Sequence, residues 1–271
     1  MQKSRALLWV SLSLVLALGG CSDFYKMQRS GDWKAQYEAA MEYYNEGTYN
    51  KAGILFEIIR PLARGSREAE QIEFFYAYSN YHQKQYILSA HYFKTFYDNY
   101  RRSQYAEEAL FMHAKSLYEQ SPNANLDQTP TQEAIQALQL YLNRFPTSER
   151  RGAAADLINE LQQKLETKAF ENAKQYYTLE RYESAVIALN NFARDYPDSR
   201  FREEAAYFRF VAQYEFAEKS VIDKQKERFT EAVKLYLDFV DRFPGSSYGR
   251  RAENQYDNCL DALESLRQDN S

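Results

Sequence analysis

Apolar and polar positions recur along the chain at fixed intervals. Ala40, Ala77 and Ala114 stand 37 residues apart, as do Tyr37, Phe74 and Phe111, and also Tyr44, Tyr81 and Tyr118. Three parallel series with one period mark a structural repeat. A second register ties Ala134 to Pro146, Ala185 to Pro197 and Ala232 to Pro244, twelve residues in each case, so half of the 6 prolines occupy one repeat position. The run Gly47-x-Tyr49-x-x-Ala52-x-x-x-Phe56 supplies a tight turn, then a small residue where two helices cross closely, then an aromatic ring one turn later. The same frame reads Tyr86, Ser89, Phe93, then Ala134, Leu138, then Tyr182, Ala185, Leu189, then Phe229, Ala232, Tyr236. It predicts five helix pairs over residues 32 to 248.

Two departures lengthen the period. Ser121 to Pro130, with Pro122, Asn123 and Asn125, reads as a loop inserted inside the third pair. Ser148 to Phe170 spans 22 residues where Ser66 to Phe74, Ser103 to Phe111 and Ser199 to Tyr207 span 8. The excess is about four helical turns. Ala153 to Tyr177 holds no Pro or Gly and keeps Leu157, Leu161, Leu165, Ala169 and Ala173 in helical spacing, so one long helix is expected to join an N-terminal and a C-terminal half. The glycine-punctuated pairs resemble the tetratricopeptide repeat. The expected fold is therefore all-α, a right-handed superhelical solenoid of about five tetratricopeptide-like helix pairs plus a C-terminal helix.

Composition agrees with this. Only 9 Gly and 6 Pro against 24 Tyr and 17 Phe leave few turn-formers for a sandwich or barrel and many rings for a helical core. A net charge of -4 gives no basic face for nucleic acid.

Lys3 and Arg5 precede an apolar run from Ala6 to Leu18 that is too short for a bilayer of roughly 30 Å but suits a signal peptide. The run ends in Leu18-Gly19-Gly20-Cys21, which resembles the bacterial lipobox, and Ser22 stands where an Asp often signals inner-membrane retention. The expectation is a cleaved signal over 1–20, a lipidated linker over 21–31 beginning at Cys21, N-terminal repeats over 32–147, and the long helix, C-terminal repeats, terminal helix and tail over 148–271. Acylation of Cys21 leaves Cys259 without a disulfide partner, and Leu260 and Leu263 beside it suggest a buried thiol.

No His-Glu-x-x-His, Gly-x-Ser-x-Gly or phosphate-cradling loop occurs, and His82, His91 and His113 make no metal set, so no catalytic residue, metal or cofactor is expected. The pairs Glu107-Glu108 and Glu203-Glu204 read as carboxylates complementing helix N-termini.

In tetratricopeptide arrays the first helix of each pair lines the inner surface. The frame places Tyr37, Tyr44, Phe74, Tyr78, Tyr81, Phe111 and Tyr118 there, a ladder that either grips extended, aromatic-ended peptides or knits neighbouring helices.

The repeat-end strings Arg144-Phe145-Pro146-Thr147-Ser148, Asp195-Tyr196-Pro197-Asp198-Ser199 and Arg242-Phe243-Pro244-Gly245-Ser246, together with the long helix and the lipobox, resemble the lipoprotein family of the outer-membrane β-barrel assembly machinery. Asn99-Tyr100-Arg101-Arg102-Ser103 departs from the pattern by lacking the proline. The resemblance implies a non-catalytic scaffold on the periplasmic face of the outer membrane. It also implies a BamA-like barrel subunit and unfolded outer-membrane proteins as partners, beside other assembly lipoproteins. Docking of that subunit on the C-terminal repeats is implied too, and Arg194, Arg200 and Arg202 are the candidate contacts. A different periplasmic tetratricopeptide lipoprotein, for example one coordinating cell-wall synthesis, is the alternative.

Overall fold

The computed structural model describes residues 23–268, so the signal over 1–20 and Cys21 lie outside the described residues. Every regular element described is a helix. The chain divides into two compact units, Met1–Leu161 and Gln162–Ser271.

In the first unit a short helix α1 (23–28) precedes three antiparallel pairs. These are α2 (Trp33–Asn45) with α3 (Tyr49–Ile59), α4 (Ala69–His82) with α5 (Tyr86–Asn99), and α6 (Ala106–Gln120) with α7 (Thr129–Arg144). The long helix α8 (Arg151–Thr178), 28 residues, gives Ala154, Ile158 and Leu161 to this unit's core and Phe170 and Ala173 to the core of the second. The second unit continues with α9 (Tyr182–Asp195), the pair α10 (Arg202–Glu218) and α11 (Ile222–Arg242), and the closing α12 (Gly249–Gln268). With α8 packed on α9 as the fourth, the described residues form five helix pairs and a terminal helix.

Local chemistry explains the boundaries. The Asp32 carboxylate accepts the Lys34 and Ala35 amides at 3.0 and 3.2 Å and so caps α2. The turn into α3 needs a left-handed residue, and Gly47 supplies it at φ +77°; Lys84 and Glu180 adopt the same conformation at the equivalent turns. The small residues at the crossings, Ala52, Ser89, Ala134, Ala185 and Ala232, are all fully buried, as are Phe56, Phe93, Leu138 and Leu189 one turn on. Tyr236, at the fifth such position, is only half-buried and stacks on Tyr256 of α12 with centroids 4.2 Å apart.

One expected boundary needs correction. The inserted loop ends at Gln128, because Pro130 sits in the first turn of α7, where its missing N–H costs no helical bond. The loop is braced from within: the buried Gln128 amide donates to Asn123 O at 2.8 Å and Leu126 O at 3.1 Å, and Thr131 Oγ1 donates to Gln128 Oε1 at 2.7 Å. Within the stretch expected to be a lipidated linker, residues 23–28 form α1, whose Phe24 is buried in the core of the first pair.

Candidate functional site

The predicted ladder lies on α2, α4 and α6, and the structure sorts its members into two kinds. Phe74 and Phe111 are buried in the core. The five tyrosines are half-buried, and four of their hydroxyls reach across to the next first helix. Tyr37 donates to Gln71 Oε1 and Tyr78 to a Glu108 oxygen, while Tyr81 donates to Glu119 at 3.3 Å and Tyr118 to Glu160 at 2.5 Å. Tyr44 packs its ring edge-on against Phe75, centroids 4.8 Å apart. Four hydroxyls are thus ties between repeats, and all five rings stay half-buried.

The electrostatics follow. Burial first, then the Glu108 bond, raises the Tyr78 pKa; burial and Glu119 do the same at Tyr81. At Tyr118 the Glu160 bond is the larger cause and pushes the hydroxyl up to about 12. All remain protonated donors at neutral pH, so the carboxylates stay satisfied without a cation on every one.

Glu107, Glu108, Glu203 and Glu204 stand in the first turns of α6 and α10, as the helix-dipole reading requires. They also do something that reading missed. Ser148 Oγ donates to Glu107 and Ser246 Oγ to Glu203, both at 2.6 Å, and Ser199 Oγ donates to Glu166 on α8 at 2.6 Å. The same hydroxyls accept the amides of Arg150, Tyr248 and Phe201 two residues on, at 3.0, 3.1 and 2.9 Å. The last serine of each Pro-x-Ser string is therefore a latch between consecutive repeats. The signal was in the sequence as that recurring serine; its acceptor was not.

Around the turn 196–201 the three candidate docking arginines differ. Arg194 is exposed and pairs with its neighbour Asp195 at 3.0 Å. Arg200 donates to Thr167 Oγ1 at 3.1 Å and lies over the Phe201 ring at 4.6 Å. Arg202 is exposed at the start of α10. A cleft of about 360 Å3 beside them is lined by Leu165, Glu166, Asp195, Tyr196, Pro197 and Asp198. The charged side chains lining the recess are the acidic Glu166, Asp195 and Asp198.

The remaining chemistry is structural. Cys259 is fully buried, and burial pushes its thiol up to about 12. His82 stacks on Tyr49 at 4.0 Å, and His113 Nδ1 lies 2.9 Å from Ala90 O. No group of three or more metal-ligating side chains occurs among the described residues, and no described helix is long and apolar enough to cross a membrane.

With this geometry in view, the chain can be set beside known proteins. A protein of Aquifex aeolicus (strain VF5), named as an outer membrane protein assembly factor BamD, is 27% identical over 244 residues, 89% of this chain and 79% of that one. The TPR2AB-domain:pHSP90-complex of yeast Sti1 superposes with a TM-score of 0.41 at 13% identity, covering 87% of this chain and 90% of that one. Residues 29–176 and 163–265 match the family described as YfiO: Outer membrane lipoprotein. The chain belongs to this family of non-enzymatic outer membrane lipoproteins.

Proposed function

We propose that the protein is a scaffold subunit of the machinery that inserts and folds β-barrel proteins in the outer membrane, held to the periplasmic face by acyl chains on Cys21. The observation that carries this reading is a family match from residue 29 to residue 265, joined by a relative whose name is that of an outer membrane protein assembly factor. Residues 1–20 act as the export signal. Each buried methylene contributes roughly 0.8 kcal/mol and one chain binds only marginally, so stable attachment takes more than one acyl chain on Cys21.

Binding surfaces do the work. The rings of Tyr37, Tyr44, Tyr78, Tyr81 and Tyr118 take up aromatic-ended segments of unfolded barrel proteins, with Phe74 and Phe111 supporting them from the core. Four of these hydroxyls are already tied to the neighbouring repeat, so those rings are ordered before a peptide arrives and little side-chain entropy is lost on binding. Arg194, Arg200 and Arg202 dock a BamA-like barrel subunit. Guanidinium groups there confer orientation and selectivity on a carboxylate-bearing partner more than raw affinity.

The test is extraction of the lipidated chain in mild detergent followed by affinity capture and identification of what co-purifies. A BamA-like barrel subunit is expected. Recovery of cell-wall enzymes without any barrel subunit refutes the proposal in favour of the alternative scaffold. Cys21→Ser is expected to leave unprocessed or membrane-free protein; a variant that still sediments with the outer membrane, with no lipid on the wild type, refutes the anchor.

A further inference from the structure

The first unit is two-sided along its own edges. Its turns inside helix pairs, 46–48, 83–85 and 121–128, are neighbours: the Gln83 amide donates to Tyr49 O at 3.2 Å, and the Gln120 amide donates to Tyr86 O at 3.3 Å. Large apolar side chains lie open to solvent on this edge. Ile87 is 73% and Leu88 44% exposed in the first turn of α5, Leu126 is 54% exposed in the loop, and Tyr25 of α1 is 57% exposed. The turns between pairs, at the other ends of the same helices, instead carry exposed Arg64, Arg67, Arg101, Arg102, Arg144 and Arg151, with Leu62 as the apolar exception.

Taken by itself, the second unit repeats the segregation. Leu179, Val221 and Ile222 are exposed at its turns inside pairs, which Lys219 joins by donating to Glu180 at 3.4 Å and Tyr182 at 3.0 Å. Arg242, Arg250 and Arg251 flank a turn between its helices, and Arg181 is the exception.

Helix α1 tells which edge the chain comes from. The Phe24 ring packs on Tyr43 at 5.7 Å and lies under the Lys51 ammonium at 5.6 Å, beside the α2–α3 turn. At the other end of α1, Met27 and Gln28 carbonyls accept the Gln36 amide at 3.1 and 3.0 Å, near the start of α2. The chain therefore enters α1 at the edge of the turns inside pairs. Cys21 is two residues before Asp23, a reach of at most roughly 7 Å.

We propose that this edge of the first unit is a lipid-contacting surface. Tyr25, Ile87, Leu88 and Leu126 rest in the interfacial zone of the leaflet that holds the Cys21 acyl chains, and the arginine edge of the same unit faces away from it. The inference rests on the reading of Cys21 as lipidated. Acyl chains supply the tether, and the side chains supply the orientation that a tether alone cannot fix. Aliphatic side chains suit the headgroup boundary, and a tyrosine ring sits there with its hydroxyl in water.

The experiment uses the full lipidated protein in vesicles of phosphatidylethanolamine and phosphatidylglycerol. Single cysteines are placed by Ile87→Cys and Leu126→Cys on one edge and by Arg67→Cys and Arg102→Cys on the other, each labelled with the fluorophore NBD. The buried Cys259 does not compete for label. Labels at 87 and 126 are expected to shift to the blue and to be quenched several-fold less by aqueous iodide than those at 67 and 102. Equal quenching at all four positions in protein that floats with the vesicles overturns the inference and leaves the anchor standing. Failure of the unlabelled protein to float overturns both.

Discussion

Replacing Ser199 by alanine isolates one latch. The hydroxyl donates to Glu166 at 2.6 Å and accepts the Phe201 amide at 2.9 Å, and the residue is buried. A bond to a charged acceptor is worth about 1.5–3 kcal/mol, and the stranded carboxylate adds to the cost. The serine at the first turn between pairs provides the contrast, because Ser66 Oγ is buried with no hydrogen-bond partner among the described residues. Ser66→Ala removes only a desolvated hydroxyl, so its expected effect is between nothing and a gain of about 1 kcal/mol. For a unit of about a hundred residues, each kcal/mol moves the melting midpoint by roughly 4–8 °C. Ser199→Ala is therefore expected to lower the transition of the second unit by on the order of 10 °C, while Ser66→Ala leaves that of the first unit in place or raises it. Thermal melts followed by far-UV circular dichroism read both. Equal losses in the two variants, or a Ser199→Ala melt within error of wild type, refute the latch.

Other outcomes follow from the same geometry. Tyr78→Phe keeps the ring and loses the bond to Glu108, so it should destabilise by about 1.5–3 kcal/mol in urea titrations while peptide crosslinking persists; Tyr81→Ala should do the reverse, its hydroxyl bond being long and exposed. Burial lowers the His113 pKa below its ordinary 6.5, so the unfolded chain takes the proton first on acidification. Its contribution to stability is complete above that value and is lost as the pH falls below it toward the folded pKa. His113→Gln should flatten the dependence of the urea midpoint over this range, leaving the slope due to His82, whose pKa burial also lowers. Reversing Arg200 and Arg202 together should strip the barrel subunit from captured complexes at physiological salt, and reversing Arg250 and Arg251 should not; equal retention in both places the docking surface elsewhere.

What the sequence made legible were features that repeat within one helix pair. Ala52, Ser89, Ala134, Ala185 and Ala232 announce the crossings because only small side chains fit there and the period exposes them. Helix α1 was illegible for the opposite reason. It has six residues, no repeat partner, and is held by Phe24 against α2 and by the Gln36 amide, which are tertiary contacts with no local pattern.

The latches and the ladder fall between these cases. Ser148, Ser199 and Ser246 stood out as repeat-end serines, yet their carboxylates lie 41, 33 and 43 residues earlier, and Glu107 and Glu203, in the first turns of their helices, already have a sufficient local explanation. Likewise a tyrosine every three or four residues fits a groove and a glue equally well. The geometry shows why that choice was poorly posed. Tyr78 and Tyr118 fasten their hydroxyls to Glu108 and Glu160 while their rings stay half-buried, so one end of each side chain builds the repeat stack and the other remains at its surface. A ring fixed in this way has its rotamer chosen by the fold. The hydroxyl tie then stabilises the solenoid while the ring supplies the proposed binding face, and mutations that separate ring from hydroxyl are the ones that separate the two roles.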